Sequence, residues 1–488
     1  MKTKAFFILF VLQGSIMLSA FQVHAQAAVG YTQEQIFNTI ILPTFRSYPE
    51  IAWFADPGVY ATNEGTADHS TPKSWTRLLI EKGLLTPSDK KYIELERMLH
   101  SVVCFKMLIE GSNQAYAYWV QAQNDLSTRL TRENFNEIHR LTKKYTDNPE
   151  TLQAIEASLV YSDLGKTPEA KRRAKDRGIT QADHDDFMEA LYSASPEIRA
   201  AVIPSFEKLP EPIQKHILTL HLAVPLHWGH VLHLEGGQGM FARLVTSQEK
   251  YPSSEDLVEQ AFLIQLCDVA AQMAHNNLKG SVSLNEPTYL GYHTVLAVIK
   301  QLLITRDTKM ALLDFADHRA MQLGFVSSMP QSESFVLARM AAFLRLYSKE
   351  EGKHLLRAVF DRRFQSEEWA LIQTMFGVDS GVNTWTRNPT YMPAFVLNLF
   401  NASKDPSEKY QRALNGMLTL AKIANAYQEK RYQLSETPLC FNPLAGQATK
   451  NPEWFESFDA SQIIWDNPQA LTIQAPAPSN VVKLNTGM

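Results

Sequence analysis

The sequence predicts an all-α protein, and three observations carry that reading. Apolar residues recur with the 3.6-residue helical period along nearly the whole chain. Alternating runs of β-branched residues are scarce. Residues that start and stop helices fall where the apolar stripes begin and end. The chain is 488 residues long with 45% hydrophobic and 20% charged residues, an ordinary globular composition. That length exceeds what one compact core usually serves, so it predicts two domains or one large helical body with additions.

The first 25 residues stand apart from the rest. Lys2 and Lys4 precede AFFILFVLQGSIMLSAF, and Val23-His24-Ala25 offers a small-residue cleavage site. This is the layout of a secretory signal peptide over 1–25, with a retained membrane anchor as the alternative. No later stretch approaches the roughly 20 apolar residues of a membrane span. The expected mature protein is therefore exported, periplasmic or extracellular, without stable membrane insertion after cleavage. Loss of Lys2 and Lys4 moves the formal charge from −4 to −6, which argues against a nucleic-acid-binding surface over the whole molecule. Cys104, Cys267 and Cys440 allow at most one internal disulfide, so stability must come from size.

Taken in order, residues 26–90 form an N-terminal helical segment. YTQEQIFNTIILPTF opens it with Thr32 as N-cap, a loop over 55–74 follows, and SWTRLLIEKGLL closes it. KYIELERMLHSVVCFKMLIEG is a long helix stopped by Gly111. Residues 120–150 read as polar helices and linkers, and RENFNEIHRLTKK among them as a charged helix with no core face. TLQAIEASLV is apolar and helical, whereas EPIQKHILTLHLAV runs into Pro225, which restarts the chain before LHWGHVLHLEGGQG. SSEDLVEQAFLIQLCDVAAQMAH is the clearest amphipathic helix, capped by Ser253 or Ser254. A composition shift near SVSLNEPTYLGY marks a boundary, after which 281–440 carries further helices such as FVLARMAAFLRLY and MPAFVLNLF. Residues 441–488 form a turn-rich tail, read as loop.

Titratable groups on apolar stripes are the candidates for chemistry. Leu152, Ile155 and Leu159 step at helical intervals, and Asp163 continues the stripe. A carboxylate there is costly unless a donor, a cation or a metal pairs with it. Asp268 likewise continues the steps Leu257, Ala261 and Ile264, while His100 borders the face made by Leu95, Leu99 and Val102. His216, His221, His227, His230 and His233 make the densest histidine cluster, with His227 and His230 on one helical face. Imidazoles with separated carboxylates are the donors of a site for Mn, Fe, Zn or Ni. Alone, a buried histidine is more often a hydrogen-bonded core residue than a ligand, and a buried aspartate often caps a helix or pairs with an arginine.

Their order along the chain resembles the HD-domain superfamily of metal-dependent phosphohydrolases and phosphodiesterases. MLHSVVCFKMLIEG resembles that family's first-histidine helix, ETLQAIEASLVYSDLGK the helix delivering its His-Asp pair, and QLCDVAAQMA the helix of its last aspartate. The resemblance spans 91–280, about 40% of the chain. It implies an HD-like helical bundle with additional C-terminal helices and a divalent transition metal held by His100, Asp163 and Asp268. His227 and His230 would complete the set, and His233 or His184 of ADHDDF are further sources of a ligand. Ser162 replaces the motif histidine. The substrate implied is a small phosphorylated molecule, bound by Lys166 with Arg172 and Arg173 downstream. Hydrolysis would use a metal-activated water. Two other readings stay open: a degenerate HD scaffold binding a small molecule or partner without catalysis, and an unrelated all-α exported protein with structural histidines.

Overall fold

The structure, a computed structural model, describes residues 31–488 except 60, 64–72, 182, 326–328, 381–389, 431–440, 459–462, 468–469, 475–480 and 486–488. The expected signal segment and Cys440 lie outside the described residues. The fold is all-α, as the periodicity predicts. Among the described residues no helix is long and apolar enough to cross a membrane. The chain forms two compact units. The first joins the residues up to Asn148 with Cys267–Asn285, and the second joins Pro149–Leu266 with the chain from Glu286 onward. Segment 91–280, which carries the family resemblance, is therefore divided between them.

The first unit is organised on the helix Ile93–Glu110, in which Leu95, Leu99, Val102, Val103 and Leu108 are fully buried. Near its start, buried Glu96 accepts hydrogen bonds from the Trp75 and Thr76 amides and the Thr76 hydroxyl at 2.7–2.9 Å. It thereby satisfies orphan amides at the start of the helix Trp75–Glu81. At its far end Gly111 turns left-handed with φ +64°, where a Cβ would stand 2.3 Å from the His139 ring. That ring belongs to the helix Arg132–Thr146 and donates from Nδ1 to the Leu108 carbonyl at 2.6 Å. Arg132 adds bonds to the carbonyls of Gly111 and Ser112, so one helix caps the C-terminus of another.

The Arg132–Thr146 helix thus has the core face that its charge concealed. Phe135, Ile138, Thr142 and Tyr145 are buried at intervals of three and four. The returning segment is stitched on by Tyr118 to the Leu278 carbonyl and Gln123 to the carbonyls of Ser281 and Leu284, at 2.8–3.0 Å. Cys104 and Cys267 are buried free thiols of this unit rather than a disulfide.

In the second unit the helix Pro149–Tyr161 packs on Glu211–Ala223, which also receives His184–Ser193. Pro225 separates Glu211–Ala223 from the short helix Trp228–Leu232, as its ring requires. The helix Glu255–Ala271 starts after Ser254, whose hydroxyl accepts the Leu257 amide at 3.2 Å. Helices from Thr308–Leu323 to Asn442–Lys450 enclose an aromatic core around Phe343, Phe376, Phe395, Phe441 and Phe455.

The tail departs from the loop expected over 441–488. After the helix Asn442–Lys450, strands Ile463–Asn467, Ala470–Gln474 and Val481–Asn485 pair antiparallel in sequence order. Each strand is a short run rich in β-branched or aromatic residues.

Candidate metal centre

Asp163 sits just past its helix, which ends at Tyr161, at the head of the 3₁₀ turn Leu164–Lys166. Its carbonyl accepts the Lys166 amide at 2.9 Å. Gly165 in that turn has a specific reason: a Cβ would lie 2.5 Å from the His184 carbonyl oxygen. Only glycine lets the start of the helix His184–Ser193 approach so closely. That approach brings His184 against the aspartate of SDLGK.

The partners of Asp163 are then explicit. Its Oδ2 pairs with the Lys166 ammonium at 2.9 Å, and its Oδ1 faces His184 Nε2 at 3.8 Å. The same Nε2 lies 3.5 Å from Asp185 Oδ1, and Asp185 Oδ2 lies 3.5 Å from His227 Nδ1. Asp183 caps the helix through the amides of Asp185 and Asp186, which fixes the backbone under both aspartates. The rings of His227 and His230 stack with centroids 5.0 Å apart, and His230 Nε2 lies 3.6 Å from Glu235 Oε2. Arg243 reaches His227 Nε2 at 3.4 Å while pairing with Glu189 and Asp186.

Taken in pairs, these spacings match two donors on one cation. At 3.5–3.8 Å the imidazole–carboxylate contacts are too long for good hydrogen bonds. Two donors each about 2.1 Å from one ion stand roughly 3–3.5 Å apart, close to what is seen. One ligand atom from each of Asp183, His184 and Asp185 lies within 4.8 Å of the others, and among the described residues no such group takes in Asp163, His227 or His230. Burial pushes the His230 imidazole down to about 3, aided by His227 and opposed by Asp185 and Asp183, so the ring is neutral as a ligand must be. Burial likewise raises the Glu235 carboxyl against hydrogen bonds from Thr390 and the Tyr391 backbone.

The other sequence candidates are placed as follows. His100 belongs to the first unit, where its Nε2–H donates to the Gly280 carbonyl at 2.9 Å. Its Nδ1 is buried without a hydrogen-bond partner, and burial lowers the ring to about 4 despite the bond to Gly280. Asp268, also of the first unit, is not on a core stripe. Its side chain is 42% exposed and pairs with Arg97 at 3.3 Å, because the buried rows of its helix run through Val258, Phe262, Leu266 and Val269. Ser162 donates its hydroxyl to the Leu159 carbonyl. Arg172 and Arg173 both pair with Glu169, which they hold down to about 2. His216 bonds Gln260, and His221 stacks on Tyr192.

The second unit therefore assembles Asp163, Lys166, His184, Asp185, His227 and His230 from three separate stretches of chain. Asp185 went unmarked in the sequence, although His184-Asp185 is itself a His-Asp dipeptide. Arg243 gave no signal beyond its charge.

The fold is helical, and the second unit brings carboxylates and imidazoles into one cluster. The chain belongs to a family described as "Family of unknown function (DUF6829)", whose model it matches over residues 65–440. Comparison with curated proteins and with solved structures gave no match.

Proposed function

We propose that this is an exported metal-dependent phosphohydrolase or phosphodiesterase of HD type, with its centre in the second unit. Asp163, His184, Asp185, His227 and His230 would hold a divalent Mn, Fe, Zn or Ni ion. The observation that carries the reading is Asp185, whose two oxygens face two different imidazoles at 3.5 Å while His184 also faces Asp163. In this reading His184 supplies in space the imidazole that the motif lacks at Ser162. A bound ion would supply the positive charge that acidifies a water and neutralises a phosphoryl oxygen. The chain's own residues do the rest. Gly165 and the Asp183 cap hold the carboxylates in place, and Lys166 places an ammonium beside Asp163 where an anionic substrate needs charge.

One observation favours the non-catalytic alternative. Lys166 already neutralises Asp163 at 2.9 Å, as a lysine would where a metal had been lost. Hydrolysis of p-nitrophenyl phosphate and bis(p-nitrophenyl) phosphate with each ion in turn separates the two. The enzyme reading expects turnover that needs the ion and disappears in Asp185→Asn. Ion binding without turnover of phosphomonoesters or diesters would leave the binding scaffold.

A further inference from the structure

Arg319 of the helix Thr308–Leu323 is 2% exposed, and among the described residues no carboxylate pairs with it. A buried cation left without a counter-charge is costly to fold around. Its guanidinium lies over the Tyr347 ring at 4.5 Å, and donates from Nη1 to Gln322 Oε1 at 2.7 Å and from Nη2 to the Leu346 carbonyl. Its Nε is buried with no partner. Glu351, the acid whose charge reaches it, is already committed. Glu351 Oε2 accepts the amides of Tyr347 and Ser348 and the Ser348 hydroxyl at 2.8–2.9 Å.

Two more positive or protonatable groups share this corner of the second unit. Arg345 opens the turn that supplies Leu346 and Tyr347, and its exposed side chain pairs with no described residue. It stands at φ +55°, a left-handed conformation that costs an arginine energy. His233 ends the short helix Trp228–Leu232, and its half-buried ring likewise has no hydrogen-bond partner among the described residues. At Gly291 these pieces close on one point. A Cβ there would lie 2.7 Å from Leu232 Cδ1 and 3.3 Å from Tyr347 Cε1, so only glycine admits both the helix end and the turn. Charge is felt across that junction: burial, then Arg345, His230 and Arg319, hold the His233 imidazole well below its ordinary value. Burial raises the Tyr347 hydroxyl, and both guanidinium groups oppose it.

We propose that Arg319, Arg345 and His233 form an oxyanion site, for a phosphate or carboxylate group entering beside Arg345. Arg319 offers the unused Nε–H as a fixed donor, Arg345 an accessible fork and His233 a ring N–H. The anion would supply the counter-charge that the chain does not. The site does not depend on the metal reading above.

The test is calorimetric titration of metal-free full-length protein with inorganic phosphate and, separately, with acetate, at ionic strength balanced by chloride. Arg345→Met keeps the stem and the backbone strain while removing the charge. Lys166→Met controls for an anion held at the Asp163 cluster. Wild type and Lys166→Met are expected to bind the anion alike, and Arg345→Met to bind it about tenfold or more weakly with an unchanged fold by circular dichroism. Tighter binding of phosphate, or of acetate, supports the site either way and identifies the group it takes. Wild type that binds neither anion, or equal affinity in Arg345→Met, would overturn the assignment.

Discussion

Lowering the pH from 8 to 5 should destabilise the first unit, and the His100 ring sets a measurable share of that loss. Burial holds this imidazole at about 4 in the folded chain, against an ordinary value of 6.5. Because its folded value is depressed, the neutral ring contributes stability that is fully present above 6.5 and is lost as the pH falls toward 4. The whole shift of about 2.5 units corresponds to about 3.4 kcal/mol. At pH 5 the two titration curves differ by about 2 kcal/mol of that. His100→Gln removes the titration while its amide can still donate to the Gly280 carbonyl that His100 Nε2 binds. Urea unfolding of wild type and variant should therefore show a stability difference that narrows by about 2 kcal/mol between pH 8 and pH 5. A difference that is the same at both pH values would refute the claim that His100 is buried neutral.

Two further predictions concern the second unit. Arg339→Met should cost about 3 kcal/mol or more in denaturant unfolding, since it orphans the buried carbonyls of Leu234, Glu235 and Met375. Arg339→Lys should recover only part of that, because a single ammonium does not reproduce the guanidinium fork. Gly165→Ala should weaken metal binding measured by calorimetry, because its Cβ would meet the His184 carbonyl at 2.5 Å and push His184 away from Asp163. Unaltered affinity in that variant would show that the approach of turn and helix does not build the site.

The helices were legible because their signals are local. Gly111 and Pro225 act on the residues beside them, and the structure ends helices where they stand. Faces were harder to read. In the helix Glu255–Ala271 apolar residues lie on more than one stripe, so the row ending at Asp268 looked as good as the row through Phe262 and Leu266 that is actually buried. In RENFNEIHRLTKK the opposite happened, and dense charge outweighed a regular stripe of Phe135, Ile138 and Tyr145.

The candidate site was half legible for a related reason. Asp163, Lys166, His227 and His230 are marked by motif or spacing. Asp185 and the choice of His184 depend on the approach that Gly165 permits, a contact between backbone segments that no periodicity encodes. The short terminal strands disappear in a composition average dominated by the Pro, Gly, Asn and Ser of the tail.

The central claim is that the second unit holds an ion at Asp163, His184, Asp185, His227 and His230. Elemental mass spectrometry of the purified protein tests it most directly, comparing wild type with Asp185→Asn, His184→Gln and, as a first-unit control, Asp268→Asn. The account predicts near-stoichiometric Mn, Fe, Zn or Ni in wild type and in Asp268→Asn, and its loss in the other two with folding intact. Wild type that holds no ion after reloading, or an ion lost only in Asp268→Asn, would contradict it.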